Sequence, residues 1–312
     1  MSDKNSFPFG DLPEDLNRSI FEAAVEDLDA TAWACARLCK SVKAWTEPLL
    51  YKHIFIDSRI RMARLHRTIR SHPSKEPNFF QRTVKSLTLG SGSRYSSDDV
   101  VGILNACAQV ERLRIKTLFI PLLECDWTSP RLFNQPAWNS LRPKELEVSD
   151  DLFLFFFNRH HFRASGMHAN PIFTNVTHLV LDLSTHHRRG WWAWDTLSQF
   201  NTLTHLCLCV TKAHSGRIWL LSIVPHFPSA LCVCVVYIDH FLGLESLVEQ
   251  IMIMEDRIVV ALDEGQDTCS LNRRTLEKTI WWYKYEMKGK VESDGGFWRR
   301  AEAKVAELRG IT

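Results

Sequence analysis

Short runs in which apolar and polar residues alternate recur through the middle of the chain. The paired apolar positions are Leu87 and Leu89, Leu113 and Ile115, Leu146 and Val148, Leu179 and Leu181, and Leu206 and Leu208. Successive runs begin 26 to 33 residues apart. Alternation with a period of two is typical of a strand with one buried face. The pattern therefore predicts a series of strands at a fairly regular spacing.

Helix-like segments lie between these predicted strands. Residues 96–109 begin with a Ser/Asp cap and continue with apolar residues at helical spacing, and shorter segments occupy 195–200 and 218–224. A strand followed by a helix at this spacing resembles leucine-rich repeats with long, irregular units. The asparagine or cysteine that recurs in such repeats is not regular here, so a degenerate repeat and a mixed open sheet are both compatible with the sequence.

Stacked strand–helix units bury a continuous core that one unit cannot bury alone. The predicted fold class is therefore α/β, with a curved, irregular leucine-rich-repeat-like array and a mostly parallel sheet. Residues 230–238 and 257–263 predict two further strands, with an amphipathic helix over 241–256 between them. Residues 276–287 fit a strand or a helix, and 297–308 predict a closing helix.

The first part of the chain has a helical pattern instead of an alternating one. Residues 12–54 predict three short helices, because apolar residues recur three and four positions apart and Pro13 stands at a first helical turn. The second helix would cover 31–39. We expect Pro48 to disturb or end the third helix, because proline lacks the amide hydrogen that the helix needs.

The two ends of this helical segment match a known motif. LPEDLNRSIF at 12–21 and LCKSVKAW at 38–45 resemble the beginning and the end of the F-box. The longer signature ending in WTEPLLY is similar to F-box-like proteins abundant in mushroom-forming fungi, as is FWRRAEAKVAE at 297–307. Val42 stands where the motif commonly has tryptophan, and Trp45 follows three residues later.

The resemblance implies a function for the whole chain. In the F-box family this segment binds the Skp adaptor of cullin-RING ubiquitin ligases, and the remainder recruits a protein substrate. The chain would be a non-catalytic substrate receptor of an SCF-type (Skp–cullin–F-box) ligase, in the cytoplasm or nucleus. The matching residues, which would contact the adaptor, are Leu12, Pro13, Leu16, Ile20, Phe21, Leu38 and Val42. The unusual Val42 motivates an alternative, in which the head only packs on the body and binds no adaptor.

We expect four segments along the chain. They are an F-box-like helical head at 1–58, a basic helical linker at 59–83, the repeat-like body at 84–265, and an aromatic segment with the closing helix at 266–312. Arginines recur every two or three positions in the linker, at 59, 61, 64, 67 and 70. A solvated basic face is the preferred interpretation, and contact with an acidic partner or a phosphate is the alternative.

The composition gives no support to a nucleic-acid-binding, membrane or secreted protein. Lys and Arg number 38 against 36 Asp and Glu, so the net charge of +2 offers no electrostatic argument for nucleic acid or a membrane surface. We find no apolar run of about 20 residues, so we expect no membrane span. The polar start lacks a signal peptide and the nine cysteines are odd in number, so we expect an intracellular protein with free thiols.

Residue types that carry out chemistry do not form a recognised motif. Cys207 and Cys209, like Cys232 and Cys234, lie in alternating runs, so both sulfurs of a pair should face one side and not a zinc ion. Nucleotide-binding, nucleophile-elbow and zinc-protease motifs are missing from the sequence. We therefore predict no catalytic residue, metal or cofactor. An enzyme with a dispersed site would need a deep pocket with convergent His, Asp or Cys side chains.

The most unusual loop reads HHRRGWWAWD and covers 186–195. Its candidate substrate-binding residues are Arg188, Arg189, Trp191, Trp192 and Trp194. Tryptophan and arginine dominate binding hot spots, which favours a recognition patch. The plainer interpretation, which we prefer, is that the tryptophans cover the end of the core. Stacking on single-stranded nucleic acid would also use such residues, but one patch without a basic stripe supports it weakly.

Overall fold

The protein is an α/β structure built on one parallel sheet. The computed structural model describes residues 12–27, 33–71, 76, 78–90, 96–116, 136–149, 169–183, 194–210, 222–238, 254–263, 279–282 and 296–310. In this part of the chain nine strands follow one another across the sheet in chain order, and every neighbouring pair is parallel. The predicted α/β class and parallel sheet are confirmed.

The strands are short and separated by the helical segments. They are β1 His53–Ile56, β2 Ser86–Leu89, β3 Arg112–Ile115, β4 Glu145–Ser149, β5 His178–Asp182, β6 His205–Val210, β7 Val233–Ile238, β8 Ile258–Asp263 and β9 Thr279–Trp282. The sheet thus begins with a strand inside 1–58 and ends with one inside 266–312. Residues 279–282, for which the sequence allowed a strand or a helix, form a strand.

The predicted apolar pairs stand in one register across the sheet. Leu87 lies opposite Leu113, and the row continues through Leu146, Leu179 and Leu206. Side chains two residues apart point to the same side of a strand, so the second member of each pair forms a parallel row. We call this side of the sheet the core face. All ten side chains are buried there in the main core.

Helices cover the core face. The α-helices are α1 Glu14–Asp27, α2 Lys40–Lys52, α3 Arg59–Ser71, α4 Phe79–Thr83, α5 Ser97–Ala106, α6 Pro136–Ser140 and α7 Gly296–Leu308. Short 3₁₀ helices occupy Pro171–Phe173, Trp194–Gln199 and Val224–His226. Met62 of α3, Ile103 of α5 and Trp138 of α6 are fully buried in the main core. One strand–helix unit therefore shares its core with the next, as expected for stacked units.

α3 and α5 approach each other closely at a glycine. A β-carbon at Gly102 would lie 2.5 Å from His66 Nε2, so only glycine fits without moving the imidazole. His66 Nδ1 lies 2.5 Å from Asp99 Oδ1, which joins the two helices through a half-buried polar contact. Gly102 is therefore required for the packing of α3 on the body.

The opposite side of the sheet, which we call the second face, is covered by α7. Phe297, Ala301 and Val305 recur at helical spacing on α7 and are buried against Val235 and Val259. The predicted closing helix is confirmed, one residue longer at its start. Where α7 lies on the sheet, the strands are apolar on both faces, as parallel strands covered on both sides usually are.

The helical head contains its own small core. Val25 of α1, Val42 of α2 and Cys35 between them are buried together, and Phe21 and Trp45 pack against them. This cluster is separate from the main core. Three short helices bury little apolar surface, so the head depends on its connection to the sheet for much of its order.

Three details of the head and linker differ from the prediction. Pro48 does not end its helix, since α2 continues to Lys52. The predicted second helix over 31–39 is short: among the described residues only 33–35 are helical, and a turn leads to Cys39. The predicted head ends with strand β1, which was not anticipated; it follows α2 directly, and its short apolar run has no turn signal before it. No helix in the described ranges is long and apolar enough to cross a membrane.

Candidate functional site

α1 presents apolar side chains on two opposite sides. Val25 points into the head core, where Phe21 packs against it. Leu16 lies nine residues before Val25, about two and a half turns, so it is on the other side of the helix. Leu16 is 50% exposed and Ile20, one turn later, is 43% exposed. The outward pair thus contributes little to the fold and forms an exposed apolar strip on α1.

The other motif residues of the head differ in exposure. Leu38, before α2, is 64% exposed, and Pro13 is exposed at the start of α1. Leu12 is half-buried, and its carbonyl accepts a hydrogen bond from Asn17 Nδ2 at 3.2 Å. Val42 is only 5% exposed because it fills the head core. Four of the seven predicted adaptor-contacting residues are exposed, namely Leu16, Ile20, Leu38 and Pro13. Val42 is buried in the head core.

Aromatic side chains join the head to α4, at the end of the linker. Tyr51, in the last turn of α2, makes edge-to-face contacts with Phe79 and Phe80 at ring-centroid distances of 5.7 and 5.2 Å. Trp33 lies edge-on to the same tyrosine at 6.3 Å. Such contacts add to area burial and fix ring orientation. The head is therefore attached through the end of α2, and this attachment does not use Leu16 or Ile20.

Trp194 is the described member of the predicted tryptophan and arginine patch. It is half-buried at the start of a 3₁₀ helix and packs against the main core. This placement agrees with the interpretation that the tryptophan covers the core. The other four candidates, Arg188, Arg189, Trp191 and Trp192, lie outside the described residues.

The second face carries a row of cross-strand ion pairs beside the area that α7 covers. Arg112 Nη2 donates to Glu145 Oε1 at 3.0 Å, and Arg114 Nε lies 3.1 Å from Glu147 Oε2. These residues face each other on β3 and β4, where opposite charges stabilise pairing modestly. The charges are satisfied within the sheet, so this row offers little unpaired charge to a ligand.

Two histidines on β5 and β6 form a stacked pair under the edge of α7. The rings of His178 and His205 lie parallel with centroids 4.1 Å apart, and Trp298 of α7 meets both edge-on. His205 Nε2 lies 3.0 Å from Glu302 Oε1 on the same helix. The cluster lies between α7 and the ion pairs of β3 and β4 on the second face.

Burial decides the protonation of this pair. Burial, followed by the nearby His205, lowers the pKa of His178 to about 4. Burial also lowers the pKa of His205, although Glu302 acts in the opposite direction. Both rings are therefore neutral near pH 7, which permits them to stack.

The histidine pair was not identified from the sequence, although a signal exists. The segments VTHLVL and LTHLCL place Thr177–His178 and Thr204–His205 at the same phase of the alternating pattern. Each threonine Oγ1 lies close to the Nδ1 of its following histidine, at 2.9 and 2.8 Å. A repeated Thr-His pair on adjacent parallel strands predicts stacked rings once the register is known.

The cysteines are arranged for packing. Cys207 and Cys209 share the second face, as predicted, with their sulfurs 3.9 Å apart, whereas Cys234 lies on the core face. Burial raises the pKa of Cys107 to about 12, and the sulfur–sulfur hydrogen bond with Cys207, together with burial, raises that of Cys209. Such thiols ionise poorly, and no group of three possible metal ligands occurs among the described residues.

Comparison with protein-family models and with curated proteins finds no match to this sequence. The structural features that point to a function are the exposed strip of α1 and the small core behind it.

Proposed function

We propose that the chain is a non-catalytic substrate receptor of an SCF-type ubiquitin ligase. In this proposal the helical head binds a Skp-family adaptor, and a curved, leucine-rich-repeat-like body holds a protein substrate. The F-box resemblance of residues 12–54 motivates the adaptor. The observation that carries the proposal is the exposure of Leu16, Ile20 and Leu38 at three motif positions of a head that has a core of its own.

The exposed strip has the properties of a partner surface. Leu16 and Ile20 gain nothing from the fold on their outward side, and exposed apolar side chains grouped on one element often mark an interaction site. Burying the remaining exposed half of each would contribute about 2–3 kcal/mol in total. That contribution corresponds to a change in affinity of roughly 30- to 150-fold.

The function of such a receptor is to bring two proteins together. The head would tether the chain to the ligase, and the body would hold the substrate near the ubiquitin carrier. Tethering raises the effective concentration of a substrate lysine at the carrier, and the receptor itself makes and breaks no bond. A parallel sheet with paired charges and packed thiols is compatible with this binding role.

A second candidate is a structural head that binds no adaptor. Two observations favour it: Val42 is buried in the head core, and Tyr51 attaches the head to α4 of the linker through Phe79 and Phe80. The two proposals differ in the outward side of α1. A structural head predicts that Leu16 and Ile20 tolerate polar substitution without loss of any partner.

Co-expression of the full chain with a Skp-family adaptor, followed by pull-down and interferometry, separates the two candidates. The informative variant is Leu16→Asp with Ile20→Asp, because both side chains point away from the head core. We expect it to weaken adaptor binding at least 30-fold, by the area estimate above. Ile60→Asp is the matched control, since Ile60 is 65% exposed on α3 outside the head.

Circular dichroism and thermal melting of all three proteins show whether the head is folded. Adaptor binding that is lost with the α1 variant and kept with Ile60→Asp supports the receptor. No binding by the unchanged chain, or equal binding by the α1 variant, counts against it and favours the structural head.

A further inference from the structure

Strand β1 has an unpaired edge among the described residues. It pairs with β2 on one side only, through bonds such as Gly90 N–H to Ile56 C=O at 2.6 Å and Lys85 N–H to Lys52 C=O at 2.9 Å. Successive residues of a strand direct their main-chain groups to alternate sides. The N–H and C=O of Phe55 therefore point away from β2, and no described residue bonds them.

A cleft runs along this edge. Its volume is about 1130 Å³, and its walls come from the head, from β1 and from α3. Val25 and Trp33 line it on the head side, and Leu65 lines it on the α3 side. The space beside Phe55 is therefore bounded on two sides and is large enough for a chain segment. In most proteins a sheet edge is covered by another element, or carries charges or proline that prevent a further strand from pairing.

The side chains in the cleft combine aromatic and basic groups. Trp33 and Phe55 are each 53% exposed. Lys52, Arg61 and Arg64 contribute positive charge, and none of the described lining residues is a carboxylate. Arg61 pairs with the exposed Asp57 at 3.2 Å, whereas Arg64 has no ion-pair partner among the described residues. Tryptophan and arginine are enriched among residues that dominate binding energy.

We propose that this cleft binds an acidic, extended peptide segment of another protein, which adds as a strand to the open edge of β1. Main-chain groups of the segment bond those of Phe55, its apolar side chains contact Trp33 and Phe55, and its carboxylates pair with Arg64 and Lys52. A four-residue edge spans about 13 Å, so a segment of about four to six residues fills it.

A peptide suits the edge better than a nucleic acid. Strand addition needs alternating N–H and C=O groups at the spacing of an extended polypeptide, which a sugar–phosphate backbone does not have. The walls combine apolar and basic side chains, whereas nucleic-acid sites are dominated by phosphate contacts. The proposal concerns a different surface from Leu16 and Ile20 and does not depend on adaptor binding.

The first test uses the unchanged full chain and fluorescein-labelled octapeptides. One peptide alternates valine with glutamate, and its counterpart alternates valine with lysine. We expect the acidic peptide to bind at least tenfold more tightly, as read by fluorescence anisotropy. Two further peptides carry N-methyl groups on all valine amides or on all glutamate amides. Only one of these two sets of amides faces β1, so at least one of the methylated peptides should bind tenfold more weakly.

The second test uses matched variants of the chain. Phe55→Pro removes only the outward amide hydrogen, which edge strands tolerate, and Phe55→Val controls for loss of the ring. We expect the proline variant to bind the acidic peptide at least tenfold more weakly than the valine variant. Arg64→Glu should weaken it at least fivefold, whereas Arg70→Glu, on the same helix but outside the cleft, should not.

The outcomes decide the proposal in either direction. It is overturned if no acidic peptide binds, which includes the case in which another segment of this chain occupies the edge. It is also overturned if both N-methylated peptides bind like the parent, or if single-stranded oligothymidine displaces the peptide at equal concentration. A folding failure of Phe55→Pro leaves Arg64→Glu and the methylated peptides to decide. Loss of adaptor binding in the separate pull-down has no bearing on these results.

Discussion

At the scale of single residues, burial controls the chemistry of the described side chains. His178 and His205 are neutral because the sheet and α7 desolvate them, and the opposing charges of Glu145 and Glu302 do not reverse that effect. A histidine whose pKa is lower in the folded than in the unfolded chain binds its proton preferentially when unfolded. The contribution of His178 to the free energy of unfolding therefore falls as the pH drops from about 6.5 towards 4.

The prediction at this scale is the pH dependence of stability. His178→Phe keeps a ring to stack on His205 and removes one titrating group. We expect the free energy of unfolding, measured with urea at pH 7 and pH 5, to fall less between these values in the variant than in the unchanged chain. His226→Phe, outside the cluster, should leave the difference unchanged. An equal fall in both proteins would show that His178 does not couple protonation to folding.

At the scale of elements, most strands were predictable, whereas β1 and the end of α2 were not. Period-two alternation identified β2 to β6, because a strand with one buried face must alternate, and short apolar runs identified β7 and β8. Pro48 suggested a helix end because local rules see only the lost hydrogen bond. In the structure Leu49 and Leu50 pack on the head core after the proline, and α2 leads directly into β1. This packing offsets the local cost.

The prediction at this scale follows from that cost. Pro48→Ala restores an amide hydrogen inside α2 and should raise the free energy of unfolding by roughly 1–3 kcal/mol. Pro13→Ala is the control, because a proline at a first helical turn loses no intrahelical bond and its replacement should change stability little. Chemical denaturation measures both. A destabilised Pro48→Ala variant would mean that the proline ring makes packing contacts worth more than the lost bond.

At the scale of the whole molecule, the described residues form a main core, a cluster under α7 on the second face, and a small head core. The main core runs through the stacked strands and their helices, whereas the head core consists of three buried residues and their neighbours. Nearest-neighbour contacts dominate the stability of stacked arrays, so a distant change has little effect on a given strand. The head should therefore open locally at lower free energy than the centre of the sheet.

Hydrogen exchange followed by mass spectrometry checks this division. Val42→Ala should accelerate exchange in α1 and α2, with a loss on the order of 1–3 kcal/mol, and leave β4 to β6 protected. Leu146→Ala, in the middle of the sheet, is the matched change and should act mainly on β3 to β5. If Val42→Ala accelerated exchange equally throughout the sheet, the head and body would form one cooperative unit.

The sequence alone determined the features that depend on local periodicity. It specified which residues of each alternating strand share the core face, because every second residue of a strand points to the same side. The apolar pairs of these strands then form the row from Leu87 to Leu206. It also located α1, α2 and α7 from helical spacing. For the candidate surface, the sequence identified the residues of the head but not their exposure. Leu16 and Val42 are both apolar residues of predicted helices, and the pattern does not distinguish an exposed one from a buried one.

Only the tertiary structure decided which surfaces are covered. The second face is apolar at β7 and polar at β3, but nothing local says that α7 lies on the former and leaves the ion pairs of the latter beside it. Nor does a four-residue run reveal that β1 is the edge of the sheet beside a cleft. Periodicity fixes the side of an element to which a side chain points, but the residues that pack against it come from distant parts of the chain. The tertiary structure is therefore needed to tell which side chains are exposed and which residues they contact.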